Sequence, residues 1–205
     1  MTLKIHGIAR SRAFRALWVA EEAGVPYEHI PTDSKSGAKQ PEFLALNPNG
    51  RIPAIEDGSF VLFESLAITL YLAKRYSSGK LYPVRLEDEA RAWQWSLWGA
   101  TEIETPLIEM VSNRVVLPPA ERNESVAAVA EAKLPRPLAV LDAHLAKPPY
   151  LLGETFTVAD LNIAALLYSA WYNKIDLSRW PRMTAWLDRC LTRPGAQRAR
   201  KLREA

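Results

Sequence analysis

Asn47-Pro48-Asn49-Gly50-Arg51-Ile52-Pro53-Ala54-Ile55, followed by Asp57-Gly58, the apolar run Phe60 to Phe63 and then Glu64-Ser65, constrains the architecture more than any other part of the chain. A proline at the head of a strand removes one ladder donor and restricts the residue before it. Ile52 is therefore expected to turn its own N–H and C=O sideways, where an extended peptide can pair as an extra strand. Asp57-Gly58 reads as a tight hairpin turn. The strand that follows ends in an acidic residue beside a serine that opens a helical pattern, and a helix start favours a ligand carboxylate. The whole stretch reads as a built site for a small peptide.

Upstream, the alternating segments Leu3-Lys4-Ile5-His6 and Tyr27-Glu28-His29-Ile30 flank a helical run from Arg12 to Ala23. Gly24 and Pro26 stop that helix. This is a strand, helix, strand unit. A second unit follows: a short helix around Glu42 to Leu46, a strand at Ala54 to Glu56, its hairpin partner Phe60 to Phe63, and a helix from Ser65 to about Tyr76. The order is βαβ and then ββα.

Organisation changes near residue 80. Ser77-Ser78-Gly79-Lys80-Leu81-Tyr82-Pro83 has linker composition, and everything beyond it reads as helix. The expected division is residues 1–78, a linker at 79–85, and an all-α domain at 86–205. Within the latter, the run from Leu86 to Arg114 should bend at Pro106. Pro135 and Pro137 leave two readings of Ala120 to Leu145, one kinked helix or two helices. Thr157 and Asp160 have the spacing of a capping box, with Phe156 placed to staple against Leu161. The helix they open is apolar on nearly every face, as in a central buried helix, so the box specifies folding and not chemistry.

Composition narrows the function classes. A chain of 205 residues with 48% hydrophobic content is large enough for one domain or two small ones. No segment reaches the roughly 18 apolar residues of a membrane span, and Met1-Thr2-Leu3-Lys4-Ile5-His6 lacks the features of a signal peptide, so a cytoplasmic location is expected. One cysteine, Cys190, excludes an internal disulfide framework or a cysteine-rich zinc site. The three histidines, His6, His29 and His144, show no ligand spacing, and no metal is expected. The net charge is +3, with Arg189, Arg193, Arg198, Arg200, Lys201 and Arg203 crowding the C-terminal end. Without a nucleic-acid motif beside it, this basic cluster reads as a solvated helix face and tail.

Asn-Pro-x-Gly-x-x-Pro at 47 to 53, Glu64-Ser65 heading a helix, and the capping box at 157 to 160 with Gly153 before it together resemble a cytosolic glutathione transferase of bacterial type. The resemblance spans the whole chain. It implies a thioredoxin-like N-terminal domain, an all-α C-terminal domain, a role in detoxification and a homodimer. Glutathione would be the co-substrate, with its cysteinyl part paired to the Ile52 backbone, its γ-glutamyl end on Glu64 and Ser65, and Pro53 in the cis form. Lys39 and Arg51 fit the glycyl carboxylate and equally fit ordinary loop cations. The electrophile pocket is expected between the domains, lined by Ile8, Arg10, Trp98, Glu102, Ile103 and Met110, with Trp95 as readily core as pocket. Leu97 and Glu104 stand where cysteine-type members carry a polar residue and a histidine, which argues against the cysteine type.

A free thiol with a pKa near about 8.5 is only a few per cent thiolate at neutral pH, and the thiolate is the nucleophile. Such an enzyme must therefore lower that pKa. Ser11, in Gly7-Ile8-Ala9-Arg10-Ser11-Arg12-Ala13-Phe14-Arg15, stands where an activating donor belongs, and the resemblance implies a serine-type enzyme. Ser11 is equally suited to cap the first helix, and a hydroxyl can accept and donate at once. Arg10 and Arg12 supply a cationic field that could stabilise the thiolate instead, while Arg15 fits a helix-supporting or ion-pair role. The leading functional reading is addition or substitution of the glutathione thiolate at an apolar electrophile. A glutathione-dependent disulfide reductase and a non-catalytic binding or regulatory protein of the same fold stand as alternatives.

Overall fold

Leu3–His6 forms the strand β1, and a second strand, β2 at Tyr27–Ile30, runs parallel beside it after the helix α1, Ala13–Ala23. The computed structural model describes residues 2–205. They fall into two units, Met1–Val84 with Thr192–Ala205, and Arg85–Leu191. In the first unit the chain continues through a single 3-10 turn, Gly37–Lys39, and a short helix α2, Pro41–Leu46. It then enters the strands β3, Ala54–Asp57, and β4, Phe60–Phe63, and the helix α3, Ser65–Tyr76. The sheet order is β2-β1-β3-β4, with β3 antiparallel to both β1 and β4. This is the thioredoxin-like arrangement.

The period of two along β1 explains which face is covered: Leu3 and Ile5 are buried at 2% and 0% exposure, while Lys4 between them is half-buried. Phe14, Leu17 and Trp18 of α1 and Ile68 and Leu72 of α3 are also fully enclosed. Gly24 ends α1 in the left-handed conformation, its N–H donating to the Ala20 carbonyl. In the hairpin, Asp57 pairs with Phe60, so the two-residue turn is Gly58-Ser59 and Asp57 is the last strand residue, one position later than the sequence suggests. Gly58 supplies the positive φ that this turn requires. The Asp57 carboxylate instead accepts hydroxyl bonds of 2.7 Å from both Tyr71 and Tyr76.

The second unit is helical: α4 at Leu86–Trp98, α5 at Thr105–Val111, α6 at Glu124–Glu131, α7 at Pro135–His144, α8 at Val158–Tyr172 and α9 at Pro181–Leu191. The expected bend at Pro106 takes a specific form. Residues Gly99–Glu104 open into a wide π turn between α4 and α5, and Pro106 then sits in the first turn of α5, where its missing N–H costs least. Gly99 also lets α4 approach α8 closely: a Cβ there would lie 2.3 Å from Ile163 Cδ1 and 2.8 Å from Leu166 Cδ1. Between the two readings of 120–145, the structure has two helices, with Pro135 at the start of the second.

The capping box at the start of α8 is present, and Asp160 does more than close it. Its carboxylate is fully buried and accepts from the Thr157 N–H and hydroxyl, the Leu151 N–H and the Trp186 indole N–H. Burial pushes the Asp160 carboxyl up from its usual range against the downward pull of these donors. Asp142 on α7 caps α9 in the same manner, accepting from the N–H groups of Arg182 and Met183 at 2.8 and 3.0 Å.

At the C-terminal end the helix α10, Pro194–Glu204, packs on α1 and falls in the first unit, apart from the rest of residues 86–205. The basic tail is a solvated face only in part: Arg189, Arg198 and Lys201 are exposed, while others of its arginines are tied down. Arg193 pairs with the nearly buried Glu22 of α1 at 2.9 Å, Arg198 pairs with Glu21, and Arg203 reaches the loop before α1. The arginines are spaced to answer acids on another helix, a pairing that local charge density does not reveal.

Candidate functional site

Gly7 determines how closely the loop before α1 approaches the Ile52-Pro53 segment. At φ +132° it occupies a conformation that side chains rarely adopt, and a Cβ there would meet Ala13 Cβ at 2.9 Å and Ile52 Cβ at 3.1 Å. The loop is tied at its start: Gly7 N–H donates to Ile30 O and Ile8 N–H to Thr32 O, each at 2.9 Å. His29 Nε2 lies 2.8 Å from the Gly7 carbonyl oxygen.

Ser11 is half-buried at the end of this loop and fills the capping role. Its Oγ accepts from Ala13 N–H at 3.0 Å, and its hydroxyl proton goes to the Ile8 carbonyl at 2.7 Å. To donate to a sulfur, the hydroxyl must turn away from Ile8. Exchanging an ordinary hydrogen bond worth about 1 kcal/mol for one to a charged acceptor, worth about 1.5–3 kcal/mol, leaves a net gain of about 0.5–2 kcal/mol. That corresponds to a thiol pKa lower by roughly 0.4–1.5.

The Ile52–Pro53 peptide bond is cis. Ile52 is half-buried, packs against the cluster of Ala38, Phe43 and Ala54, and lies outside both neighbouring strands. Its backbone N–H and C=O make no hydrogen bond among the described residues, the condition that pairing with an extended peptide needs. Asn47, at 2% exposure, shapes the preceding turn. Its Nδ2 donates to Arg51 O at 2.6 Å and its Oδ1 accepts from the Asn49 N–H and side-chain amide at 3.1 Å. Lys39 is exposed and its ammonium donates to Gly50 O at 2.7 Å, while the Arg51 side chain is also exposed. The turn bearing Lys39 is held by Asp33. Bonds from the Ser36 hydroxyl and the N–H groups of Ser36, Gly37 and Lys35 keep that carboxyl well below the usual carboxylate range.

Glu64 is strained. It has φ 71° and ψ 111°, a region that costs a residue with a side chain about 1–3 kcal/mol, and its side chain makes no capping bond. Ser65 follows at 5% exposure and accepts a 2.8 Å bond from Arg15 Nη1 on α1. Arg15 is itself buried at 4%. This link, which joins the helix beginning near Ser11 to the head of α3, is what the sequence reading lacked. The available signal was an arginine inside the otherwise apolar run Ala13 to Ala20.

The residues expected to line the electrophile pocket are arranged less simply. Ile8 is half-buried and Arg10 exposed in the first unit, with Arg10 Nε donating to Arg203 O. In the second unit Trp98 is half-buried and packs edge to face on Trp95 with ring centres 5.0 Å apart, and Glu102 is exposed. Ile103 and Met110, at 0% and 2% exposure, are core residues and offer no surface to a ligand. Leu97 is exposed and Glu104 buried. Among the described residues there is no cluster of three or more metal-ligating side chains, and no helix is long and apolar enough to cross a membrane.

A thioredoxin-like sheet with a cis proline before β3 and an acid–serine pair at the head of α3, followed by a helical unit, defines the class of glutathione-handling folds. The family description "Glutathione S-transferase, N-terminal domain" matches residues 1–74, and "Glutathione S-transferase, C-terminal domain" matches residues 105–194. Glutathione S-transferase 3 of Zea mays is 38% identical, the match covering 96% of this chain and 92% of the maize protein. A theta class glutathione S-transferase from Xanthomonas axonopodis pv. citri, with glutathione bound, superposes with a TM-score of 0.90 at 36% identity, covering 97% and 96% of the two chains. Maize glutathione S-transferase I in complex with an atrazine glutathione conjugate gives 0.88 at 30% identity, covering 100% and 99%. The chain belongs to the glutathione S-transferase family.

Proposed function

We propose that this chain is a serine-type cytosolic glutathione transferase, joining the glutathione sulfur to apolar electrophiles by addition or substitution. The observation that carries the reading is the unpaired Ile52 backbone beside cis-Pro53, held against the Ser11 loop by Gly7. The cysteinyl part of glutathione pairs with Ile52. The γ-glutamyl end meets Glu64 and Ser65, with Arg15 orienting the Ser65 hydroxyl, and the glycyl carboxylate lies toward Lys39 and Arg51. The Ser11 hydroxyl leaves Ile8 and donates to the sulfur as the thiol proton passes to solvent water. The thiolate lone pair then forms the carbon–sulfur bond, and the electrophile either expels its leaving group or takes up a proton.

The glutathione-bound Xanthomonas neighbour and the conjugate-bound maize neighbour support this reading, and both plant and bacterial relatives fit it. Nothing in the geometry favours the disulfide-reductase or non-catalytic alternatives. The test is Ser11→Ala. The apparent thiol pKa in the complex should rise by roughly 0.4–1.5 and conjugation at neutral pH should slow by about threefold to thirtyfold with it. An unchanged pH–rate profile would rule out Ser11 as the activating donor.

A further inference from the structure

The Ser11 loop is gripped from outside by α10. Arg203 Nη1 donates to two carbonyls of the loop, Ala9 O at 2.9 Å and Ser11 O at 3.1 Å. Its guanidinium carbon lies 5.1 Å from the centre of the buried Phe14 ring. The contact is returned, since Arg10 Nε donates to the backbone carbonyl of Arg203 at 3.2 Å. Because peptide units are planar and trans, turning the Ala9 and Ser11 carbonyls to the guanidinium turns the Arg10 and Arg12 N–H groups the other way. The Ala9–Arg10 and Ser11–Arg12 peptides are thus held by Arg203, while the Ser11 N–H, bonded to Ile8 O at 3.0 Å, holds the peptide between them, and the direction of the Ser11 Cα–Cβ bond is held with all three. Docking of α10 does not depend on this residue alone, because Arg193–Glu22 and Arg198–Glu21 anchor the helix elsewhere on α1.

We infer that Arg203 is a positioning residue for thiol activation, clamping the carbonyl side of the Ala9–Ser11 loop so that the Ser11 hydroxyl is held in place for the glutathione sulfur. The inference rests on the proposed role of Ser11. It goes beyond that role by making a helix that follows the whole second unit in sequence part of the activating apparatus. A preorganised donor needs no reorientation when charge develops, and a loosened one does.

The experiment compares wild type with Arg203→Ala, Arg203→Lys and Arg198→Ala. The measurements are the pH–rate profile for an activated aryl halide at saturating glutathione, the KM for glutathione, and amide hydrogen exchange over residues 8–14. Arg203→Ala should lower kcat at neutral pH about threefold to tenfold and raise the apparent thiol pKa by roughly 0.5–1, a unit being tenfold in the thiolate ratio. The KM should change by less than about twofold, and exchange in the loop should quicken. Arg203→Lys, which keeps donors for both carbonyls, should recover at least half of kcat. Arg198→Ala should lower the melting temperature and leave the pH profile in place. Equal falls in kcat for the Arg203→Ala and Arg198→Ala variants with an unmoved profile, or unchanged loop exchange in Arg203→Ala, would overturn the clamp. Wild-type protein that neither binds immobilised glutathione nor conjugates it would instead sink the proposed function, and loop exchange would then decide the clamp by itself.

Discussion

Replacing Glu64 by glycine separates the stability of this protein from its function at one position. Glu64 has φ 71° and ψ 111°, and its side chain makes no capping bond to α3. The bond from Ile68 N–H to the Glu64 carbonyl, 2.9 Å, involves only backbone and survives the change. Releasing about 1–3 kcal/mol of strain is offset by the roughly 0.5–1 kcal/mol that a glycine adds to the entropy of the unfolded chain. The net gain is about 0–2.5 kcal/mol, or a rise in Tm of up to roughly 10 °C for a chain of this size. Binding should move the other way. Losing a charge-assisted bond to the γ-glutamyl ammonium, worth about 1.5–3 kcal/mol, weakens glutathione by roughly 10- to 150-fold. Glu64→Gln keeps the strained backbone and the shape but not the charge, so its Tm should stay with wild type while its affinity falls. Thermal melts and calorimetric titration with glutathione read both quantities. A glycine variant that melts below wild type refutes the strain argument, and one that binds glutathione as tightly as wild type refutes the ligand role.

Asp160→Ala strands four buried donors and should cost about 4 kcal/mol or more, seen as insoluble protein or a melting transition lowered by 10 °C or so, whereas Asp160→Asn should be milder. Gly99→Ala forces a Cβ onto Ile163 and should cost about 1–3 kcal/mol; adding Ile163→Val, which removes the nearer atom, should return part of that in a double-mutant cycle read by denaturant unfolding. Asn47→Ala removes the bond to Arg51 O from a residue 2% exposed, so glutathione affinity should fall together with a stability loss of about 1–3 kcal/mol. For Asp57, burial pushes the carboxyl up, but the hydroxyls of Tyr71 and Tyr76 and the charge of Arg75 outweigh it and leave it below its ordinary value. A depressed folded pKa contributes stability above the unfolded value and loses it as pH falls through the folded one. The stability difference between wild type and Asp57→Asn should therefore hold from pH 8 to 5 and shrink below about pH 4.

What the sequence makes legible follows the range of the interaction involved. The strands Leu3–His6, Tyr27–Ile30 and Phe60–Phe63 and the helix Ser65–Tyr76 fall where the alternation and helix-start signals put them, because those signals are local. The Thr157–Asp160 box is legible for the same reason, while the reach of Asp160 to Trp186 is not. Contacts far apart in sequence leave no periodic trace. Arg193 and Glu22 read as two unrelated charges until the helices meet. At the candidate site, the motif residues Ile52 and Ser65 are legible as a group, but the Arg15 bond that orders Ser65 is not. The burial of Ile103 and Met110, both expected at the pocket, is likewise set by packing against elements distant in sequence.

The return of α10 to α1 also has a meaning for how this chain is made. The Ser11 loop and α1 are translated before Arg85–Leu191, yet the helix that answers Glu21 and Glu22 is translated only after it. At ordinary synthesis rates that interval is on the order of ten seconds. During it, the acidic edge of α1 and the carbonyls of the Ser11 loop wait without their arginines. Completion of the Ser11 loop is thus delayed until the whole second unit has been made, although Ser11 itself is made before that unit begins.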